Sequence, residues 1–260
     1  MMSGEVALGV PVASHPAKRP ERTTIEGRCA KLVPIDETHI PSLYRHLCDA
    51  ASASVWAYMW VGPFDSENEF GAYIGSIIGS ENPVYYTVVT TQVLQSGAIE
   101  AGTPVGYLSL GRIDPANRSV EIGDVTFSAC LQRTTAATEA LYLAMRYAID
   151  DLGNRRVEWR CDSLHAKSRR AAERLGFTYE GLFRKFKIFR GRNRDTVWYS
   201  VTDDDWNGTT SSDSTPGDQG AVGVGLRSMF DAWLNPSNFV GDKQVRSLEK
   251  IREDLKAGAA

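Results

Sequence analysis

The sequence lacks the features that mark a metalloprotein, a disulfide-stapled protein or a membrane protein. Its four cysteines, Cys29, Cys48, Cys130 and Cys161, are widely spaced and form no CxxC pair, so neither a zinc site nor a disulfide framework is indicated. No apolar run approaches the ~18 residues that a membrane span requires. The amino-terminal stretch has no basic segment of the kind that opens a signal peptide. We therefore expect a cytoplasmic protein without a metal, with the nucleus as the alternative location.

The chain also lacks a strong excess of charge of either sign. Its 260 residues carry a formal net charge of -3, which provides no general attraction to nucleic acid. Positive charge is concentrated in "FRKFKIFRGRNR", residues 183–194. Cations interleaved with aromatic residues are typical of a nucleic-acid surface, but in a hairpin the rings are more simply the buried face of a strand. The cations then form a solvated edge, or a patch that faces phosphates or an acidic partner.

Composition divides the chain into four parts. Residues 1–22 are rich in proline, alanine and charge, which predicts disorder. Residues 23–206 alternate between strand-like and helix-like patterns and are expected to form one domain. Residues 207–223 have almost no large apolar side chain and read as a flexible linker. Residues 224–260 are expected to form a helical extension.

The order of predicted elements indicates an α/β fold. One strand, two helices (37–50 and 66–79) and three strands are followed by a helix, a strand, a helix closed by Gly176, and a hairpin that turns at Gly191. This order predicts a mixed, mostly antiparallel, twisted sheet flanked by helices.

A turn without glycine joins the strand "SVEIGDVTF" to the helix that begins in "LQRTTAATEA". The amides at a helix start are unpaired and the helix dipole adds partial positive charge, so such a turn attracts phosphate. Thr134, Thr135 and Thr138 could add hydroxyl donors, and Arg133 could add a cation. The alternative is a helix start whose threonines cap only their own backbone, and the turn by itself favours this alternative.

The wider order of motifs resembles a known family. The strand, this turn, "ATEALYLAMRYAIDDLG", "RRVEWRCD" and "SRRAAERLGF" followed by "TYEG" are similar to the GNAT superfamily of acyl-CoA-dependent N-acetyltransferases. The closest branch is that of the ribosomal-protein N-terminal serine and alanine acetyltransferases (RimJ/RimL-like). The resemblance covers residues 25–206, and the carboxyl-terminal segment resembles one subgroup. It implies the GNAT fold, acetyl-CoA as acyl donor, and a primary amine as acceptor, either a protein N-terminus of the Ser or Ala type or a small amine.

The resemblance also implies where the coenzyme binds. The implied contacts are Val125, Thr126, Phe127, Gln132, Arg133, Thr134, Thr135, Ala136, Ala137, Thr138, His165 and Ser168. Three positions depart from the family pattern. Thr135 replaces a glycine, so the turn must use ordinary helical dihedrals or the coenzyme must lie further out. His165 stands where asparagine is usual, and Ala172 where many members have the tyrosine that protonates the departing thiolate, a role that Ser168 or water could take.

Two carboxylates are candidates for the proton acceptor. Glu121 and Asp124 belong to the strand whose backbone near Val125 would hold the oxyanion in this family. Their odd separation places them on opposite faces of a regular strand, so at most one reaches the cleft unless a bulge intervenes. "EIG" matches a family pattern, which favours Glu121.

The aromatic residues Trp56, Tyr58 and Trp60 lie where the family builds its acceptor pocket, although they could equally belong to the core. Because Thr135, His165 and Ala172 depart from the pattern, an alternative function stays open. The chain could be a weak or inactive GNAT-fold protein that binds CoA or a partner. A homodimer is one role open to the carboxyl-terminal helices.

Overall fold

A computed structural model describes residues 8–9, 11–94, 97–209, 223–241 and 243–258. Its main feature is a seven-stranded sheet with helices on both faces. The strands are β1 (Ala30–Pro34), β2 (Val84–Thr90), β3 (Pro104–Asp114), β4 (Ser119–Phe127), β5 (Arg156–Asp162), β6 (Thr178–Phe189) and β7 (Arg192–Thr202). The helices are α1 (Ile40–Leu47), α2 (Glu67–Ile77), α3 (Thr135–Arg146), α4 (Ala166–Leu175), α5 (Asp203–Asn207), α6 (Leu226–Leu234) and α7 (Leu248–Lys256).

The strands lie in the order β1-β2-β3-β4-β5-β7-β6. Only the central pair, β4 and β5, is parallel, and the remaining neighbours are antiparallel. The mixed, mostly antiparallel sheet predicted from the sequence is therefore confirmed. The parallel pair is short, because its register covers only Ser119–Glu121 on β4. Beyond Glu121 the two strands separate, and this separation determines where the site lies.

Helix α3 is the most deeply buried helix. Ten of its residues are buried, and its amino-terminal cap is Thr134, whose side chain accepts the Ala137 amide. Its one acidic side chain, Glu139, is only 2% exposed. Its oxygens accept the backbone N–H groups of Arg28, Cys29 and Ala30. These bonds satisfy a buried carboxylate and fix the start of β1 against α3.

Residues 17–22 depart from the predicted disorder. The Ala17 amide donates to Pro115 O at 2.9 Å and the Lys18 amide donates to Leu152 O at 2.8 Å. The hydroxyl of Tyr86 donates to Glu21 O at 2.6 Å. These partners are distant in sequence, so composition alone could not reveal them. Residues 1–7 and 10 lie outside the described residues, as do residues 210–222 of the predicted linker.

The carboxyl-terminal segment packs into the same core as the sheet. Besides α6 and α7 it forms a small pair of strands, β8 (Phe239–Val240) and β9 (Lys243–Gln244). Phe230 and Trp233 of α6 are buried, and Phe230 stacks on Tyr142 of α3 at 5.0 Å between ring centroids. Gly176, the expected end of α4, has φ 98°. A Cβ there would lie 2.5 Å from a Leu226 methyl group, so glycine permits both the helix end and the close approach of α6.

Candidate active site

The separation of β4 from β5 opens a cavity of about 300 Å³. Its lining comes from the diverging halves of both strands, the start of α4, the hairpin β6–β7 and the segment between α1 and α2. Residues of β4 that line it are Glu121, Ile122, Gly123, Asp124 and Val125, and those of β5 are Trp159, Arg160 and Cys161. Because backbone pairing between the two strands stops at the mouth of this opening, polar backbone groups of β4 are available to a ligand there.

A bulge in β4 brings both candidate carboxylates into the cavity. Thr126 pairs with Tyr107 and Gly123 pairs with Ser109, so three steps along β4 face two along β3. Asp124, within the bulge, has φ 48°. The extra residue reverses the alternation of side chains, and Glu121 and Asp124 both line the cavity. Of the two arrangements that the sequence left open, the structure has the bulged one.

Glu121 is held in a buried ion pair. It is 9% exposed, and its Oε2 accepts Arg160 Nε at 2.9 Å and lies 3.7 Å from Arg112 Nε. Burial raises the pKa of Glu121 above its ordinary value, while Arg160 and Arg112 act in the opposite direction. A carboxylate paired with two guanidinium groups is constrained as a proton acceptor, because its charge already stabilises two neighbours.

Asp124 is surrounded by neutral donors instead. Its Oδ2 accepts the Tyr85 hydroxyl at 3.0 Å and the Ser109 hydroxyl at 3.1 Å. Within the described residues no hydrogen bond reaches its Oδ1, and Asp124 lines the cavity. Burial and the charge of Asp124 raise the pKa of Tyr85 above its ordinary value, and this tyrosine therefore stays a donor at neutral pH. Burial likewise raises the pKa of the nearby Tyr73 to about 12.

The start of α4 forms the opposite wall. His165 precedes the helix, and its ring stacks on Tyr58 with centroids 4.3 Å apart and planes at 14°. Burial lowers the pKa of His165, so the ring is neutral at pH 7. Ser168 lines the cavity and accepts the Trp159 indole N–H at 3.0 Å. Burial raises the pKa of the Cys161 thiol, which disfavours a thiolate nucleophile at this position.

The predicted acceptor aromatics divide into two groups. Tyr58 and Trp60 line the cavity. Trp56 does not: it is 1% exposed and donates its indole N–H to Leu47 O at 2.9 Å. Trp56 therefore belongs to the core, and the expected contact between Trp56 and an acceptor is wrong. Gly62, with φ 68°, lies so close to the Trp56 ring that a Cβ would approach within 2.7 Å.

The glycine-free turn before α3 presents free amides. Arg133, with φ 63°, takes the left-handed conformation, and Thr134 caps the helix. Thr135 is thus the first residue of the helix and needs no unusual dihedrals. Of the two alternatives that the sequence left open, the turn therefore uses ordinary helical dihedrals at Thr135. Within the described residues, the amides of Arg133, Thr135 and Ala136 have no hydrogen-bond partner. Three amides at the start of a buried helix can bind a phosphate.

Other predicted coenzyme contacts have partners within the chain. Gln132 Nε2 donates to Phe127 O at 2.7 Å, and the Thr138 hydroxyl accepts Arg174 Nη2 at 2.6 Å. The side chains of Thr126, Phe127, Ala136, Ala137 and Thr138 are all buried, which leaves their backbone as the part that a ligand could reach. The Thr135 hydroxyl donates to Gln244 Oε1 at 3.3 Å, so the carboxyl-terminal segment touches this turn.

Several cavity residues escaped the sequence analysis. They are Ser109, the cations Arg112 and Arg160, and Trp159. Tyr85, which binds Asp124 together with Ser109, was also not singled out. Tyr85, Ser109 and Arg112 lie on β2 and β3, outside the quoted motifs, and the strand order brings them to the site. Trp159 and Arg160 lie within the motif "RRVEWRCD". The described residues contain no cluster of His, Cys, Asp and Glu suited to a metal. None of their helices is long and apolar enough to cross a membrane.

Comparison with known proteins agrees with this geometry. The family described as "Acetyltransferase (GNAT) domain" matches residues 30–178, more than half of the chain. "Putative ribosomal N-acetyltransferase YdaF" of Bacillus subtilis (strain 168) is 30% identical over 115 residues, which are 44% of this chain and 62% of that protein. The chain thus matches less than two thirds of that relative's length.

Solved structures share the fold over a longer range. A GCN5-related N-acetyltransferase from Brucella melitensis has a TM-score of 0.79 and 33% identity, covering 92% of this chain and 98% of that one. A structure described as a probable acetyltransferase of the GNAT family, from Chromobacterium violaceum ATCC 12472, has a TM-score of 0.68 and 33% identity, covering 78% of this chain and 99% of that one. The chain belongs to the GNAT family of acetyltransferases, whose acyl donor is acetyl-CoA.

Proposed function

We propose that the protein transfers the acetyl group of acetyl-CoA to the α-amine of a protein N-terminus of the Ser or Ala type. The observation that carries this proposal is the β4 bulge, at which Asp124 and Val125 line the cavity and have no paired residue on β3. The name of the Bacillus subtilis relative, which refers to a ribosomal N-acetyltransferase, supports a protein acceptor.

In the proposed mechanism the amides of Arg133, Thr135 and Ala136 hold the pyrophosphate of the coenzyme. The thioester then lies between β4 and β5, where backbone N–H near Val125 stabilises the oxyanion that forms on attack. Asp124 Oδ1 accepts the proton of the ammonium group, directly or through water, while Tyr85 and Ser109 fix its other oxygen. We assign Glu121 to positioning, since it anchors Arg160 and Arg112.

The chemistry of the acceptor suits such a site. An α-amine has a pKa of about 7.7–8.0, so part of it is neutral at pH 7 and only a modest base is needed. A lysine side chain, with a pKa of about 10.4, would need a stronger one. A thiol is a weak acid, with a pKa of about 8.5 in cysteine, so a thiolate leaves without a strong acid. We assign assistance of its departure to Ser168, which lines the cavity.

Release of free thiol from acetyl-CoA tests the proposal. The protein is supplied with Ser- and Ala-starting peptides, the same peptides with blocked N-termini, and small amines. We expect thiol release only with the free peptide N-termini. Thiol release with small amines alone would overturn the protein acceptor. Tight acetyl-CoA binding in calorimetry without release for any amine would instead support a protein that binds CoA without turnover.

A further inference from the structure

Strand β6 is the free edge of the sheet, and it is exposed on both faces. It pairs with β7 along one side and has no strand on the other among the described residues. Large apolar side chains lie open on it, with Phe183 49% and Ile188 80% exposed. A long exposed edge strand offers a row of unpaired backbone groups to another extended chain.

The same edge carries a concentration of positive charge. We define the basic edge as Arg184, Lys185, Lys187, Arg190 and Arg192. Within the described residues none of these five side chains takes part in an ion pair. One carboxylate lies nearby, Asp195, which accepts the Lys185 amide at 2.6 Å. That hydrogen bond, the Asn193 side chain and the charges of Arg184 and Lys185 lower the pKa of Asp195. The other carboxylate of the hairpin, Glu180, is already paired with Arg156, so the five cations leave the edge strongly positive.

The basic edge is continuous with the candidate active site. Between Phe183 and Lys187 the register of β6 slips by two residues against β7, and Lys185 takes φ 53°. This bulge turns Phe186 and Lys187 toward the cavity, which they line. An acceptor polypeptide whose N-terminal residue lay beside Asp124 would therefore pass over this part of β6 as it left the cavity.

From this geometry we propose that the basic edge binds an acidic, extended segment of the acceptor polypeptide, downstream of the amine that is acetylated. This inference rests on the proposed function, because the acetylated amine at Asp124 determines which part of the acceptor reaches β6. It specifies that this part of the acceptor is acidic. Backbone pairing along β6 provides affinity for an extended chain, and the cations select carboxylates. A second copy of this protein is a poor occupant, because edge-to-edge pairing would oppose cations with cations. Nucleic acid is the competing occupant, because the rings of Tyr179 and Phe183 are also exposed on β6 and provide a surface on which bases stack, and single-stranded RNA is therefore included in the test.

Direct binding tests the proposal independently of catalysis. Fluorescence anisotropy compares three labelled peptides with identical N-terminal residues and with glutamate, glutamine or lysine downstream, on the CoA-loaded protein. We expect the acidic peptide to bind about tenfold more tightly than the glutamine peptide, with an affinity that falls as salt rises. The variant Arg184→Gln/Lys185→Gln should abolish this difference. The matched control Arg19→Gln/Lys256→Gln removes two exposed cations elsewhere and should preserve it.

Turnover of the same peptides separates this inference from the proposed function. If the proposed function and the acidic-segment site are both correct, Arg184→Gln/Lys185→Gln raises the KM of the acidic peptide about tenfold. It leaves kcat and the KM of acetyl-CoA unchanged. Selective binding of the acidic peptide without acetylation of any peptide would contradict the proposed function and support the acidic-segment site. Equal binding of the three peptides, or tighter binding of single-stranded RNA than of the acidic peptide, would overturn the inference.

Discussion

At the scale of single residues, Asp124 and Glu121 differ in the groups that contact their carboxylates. Neutral hydroxyls bind Asp124 on one oxygen, whereas two guanidinium groups surround Glu121. Asp124→Asn preserves the shape of the side chain but removes the proton acceptor. We expect kcat/KM for the peptide to fall about 100-fold or more, the usual contribution of a general base. Glu121→Gln serves as the matched comparison and should have the smaller effect. Full activity of Asp124→Asn at neutral pH would exclude this carboxylate as the base.

His39 shows how a single residue makes stability depend on pH. Its Nδ1 accepts the Asp36 amide at 3.2 Å. Burial lowers the pKa of His39, and it also lowers those of His46 and His165.

A lowered pKa in the folded state means that the unfolded chain binds protons first as pH falls below about 6.5. We therefore predict that Tm is constant above about pH 7 and falls as pH decreases from 6.5. Thermal melts between pH 8 and pH 5.5 measure this, and His39→Gln should reduce the dependence. A Tm that rises on acidification would contradict the assigned directions.

At the scale of elements, the turn before α3 both starts the helix and forms the proposed phosphate site. The Thr134 hydroxyl accepts the Ala137 amide at 3.1 Å. Thr134→Ala should cost about 1 kcal/mol of unfolding free energy, or about 2–4 °C in Tm, and should raise the KM of acetyl-CoA. Thr134→Ser preserves the cap and should behave like the wild type. An unchanged melting curve for Thr134→Ala would show that the cap is not needed.

The order of elements was predictable because each element has its own periodic pattern. Helix α2 begins at Glu67, one residue after the predicted start at Ser66, and α4 ends at Gly176 as expected. The β4 bulge could not be predicted, because it depends on the register of β4 against β3, in which Asp124 and Val125 have no paired residue. The sequence offered two arrangements of the carboxylates, and only the register of the sheet decides between them.

At the scale of the whole molecule, the carboxyl-terminal segment is part of one core with the sheet. Phe230 is fully buried and stacks on Tyr142, which also stacks on Trp206. Phe230→Ala should lower the free energy of unfolding by about 3–5 kcal/mol, and chemical denaturation should show a single transition. Two separate transitions, or no loss of stability, would show that α6 and α7 fold independently of the sheet.

Which aromatic residues meet a ligand is also decided at this scale. Trp56 and Trp60 are close in sequence and similar in chemistry, yet one is buried in the core and the other is 56% exposed. The difference arises because Arg190 and Arg194 of the hairpin hold the segment around Trp60 over the cavity, where Arg190 Nη2 donates to Gly62 O at 2.6 Å. These contacts span more than a hundred residues, so local patterns cannot reveal them.

The proposed acetylation of a protein α-amine can be located directly on the acceptor. Tandem mass spectrometry of a Ser-starting peptide that also contains an internal lysine, incubated with the protein and acetyl-CoA, locates the added group. We expect one acetyl group on the N-terminal α-amine and none on the lysine. Acetylation of the lysine alone, or of neither amine, would contradict it.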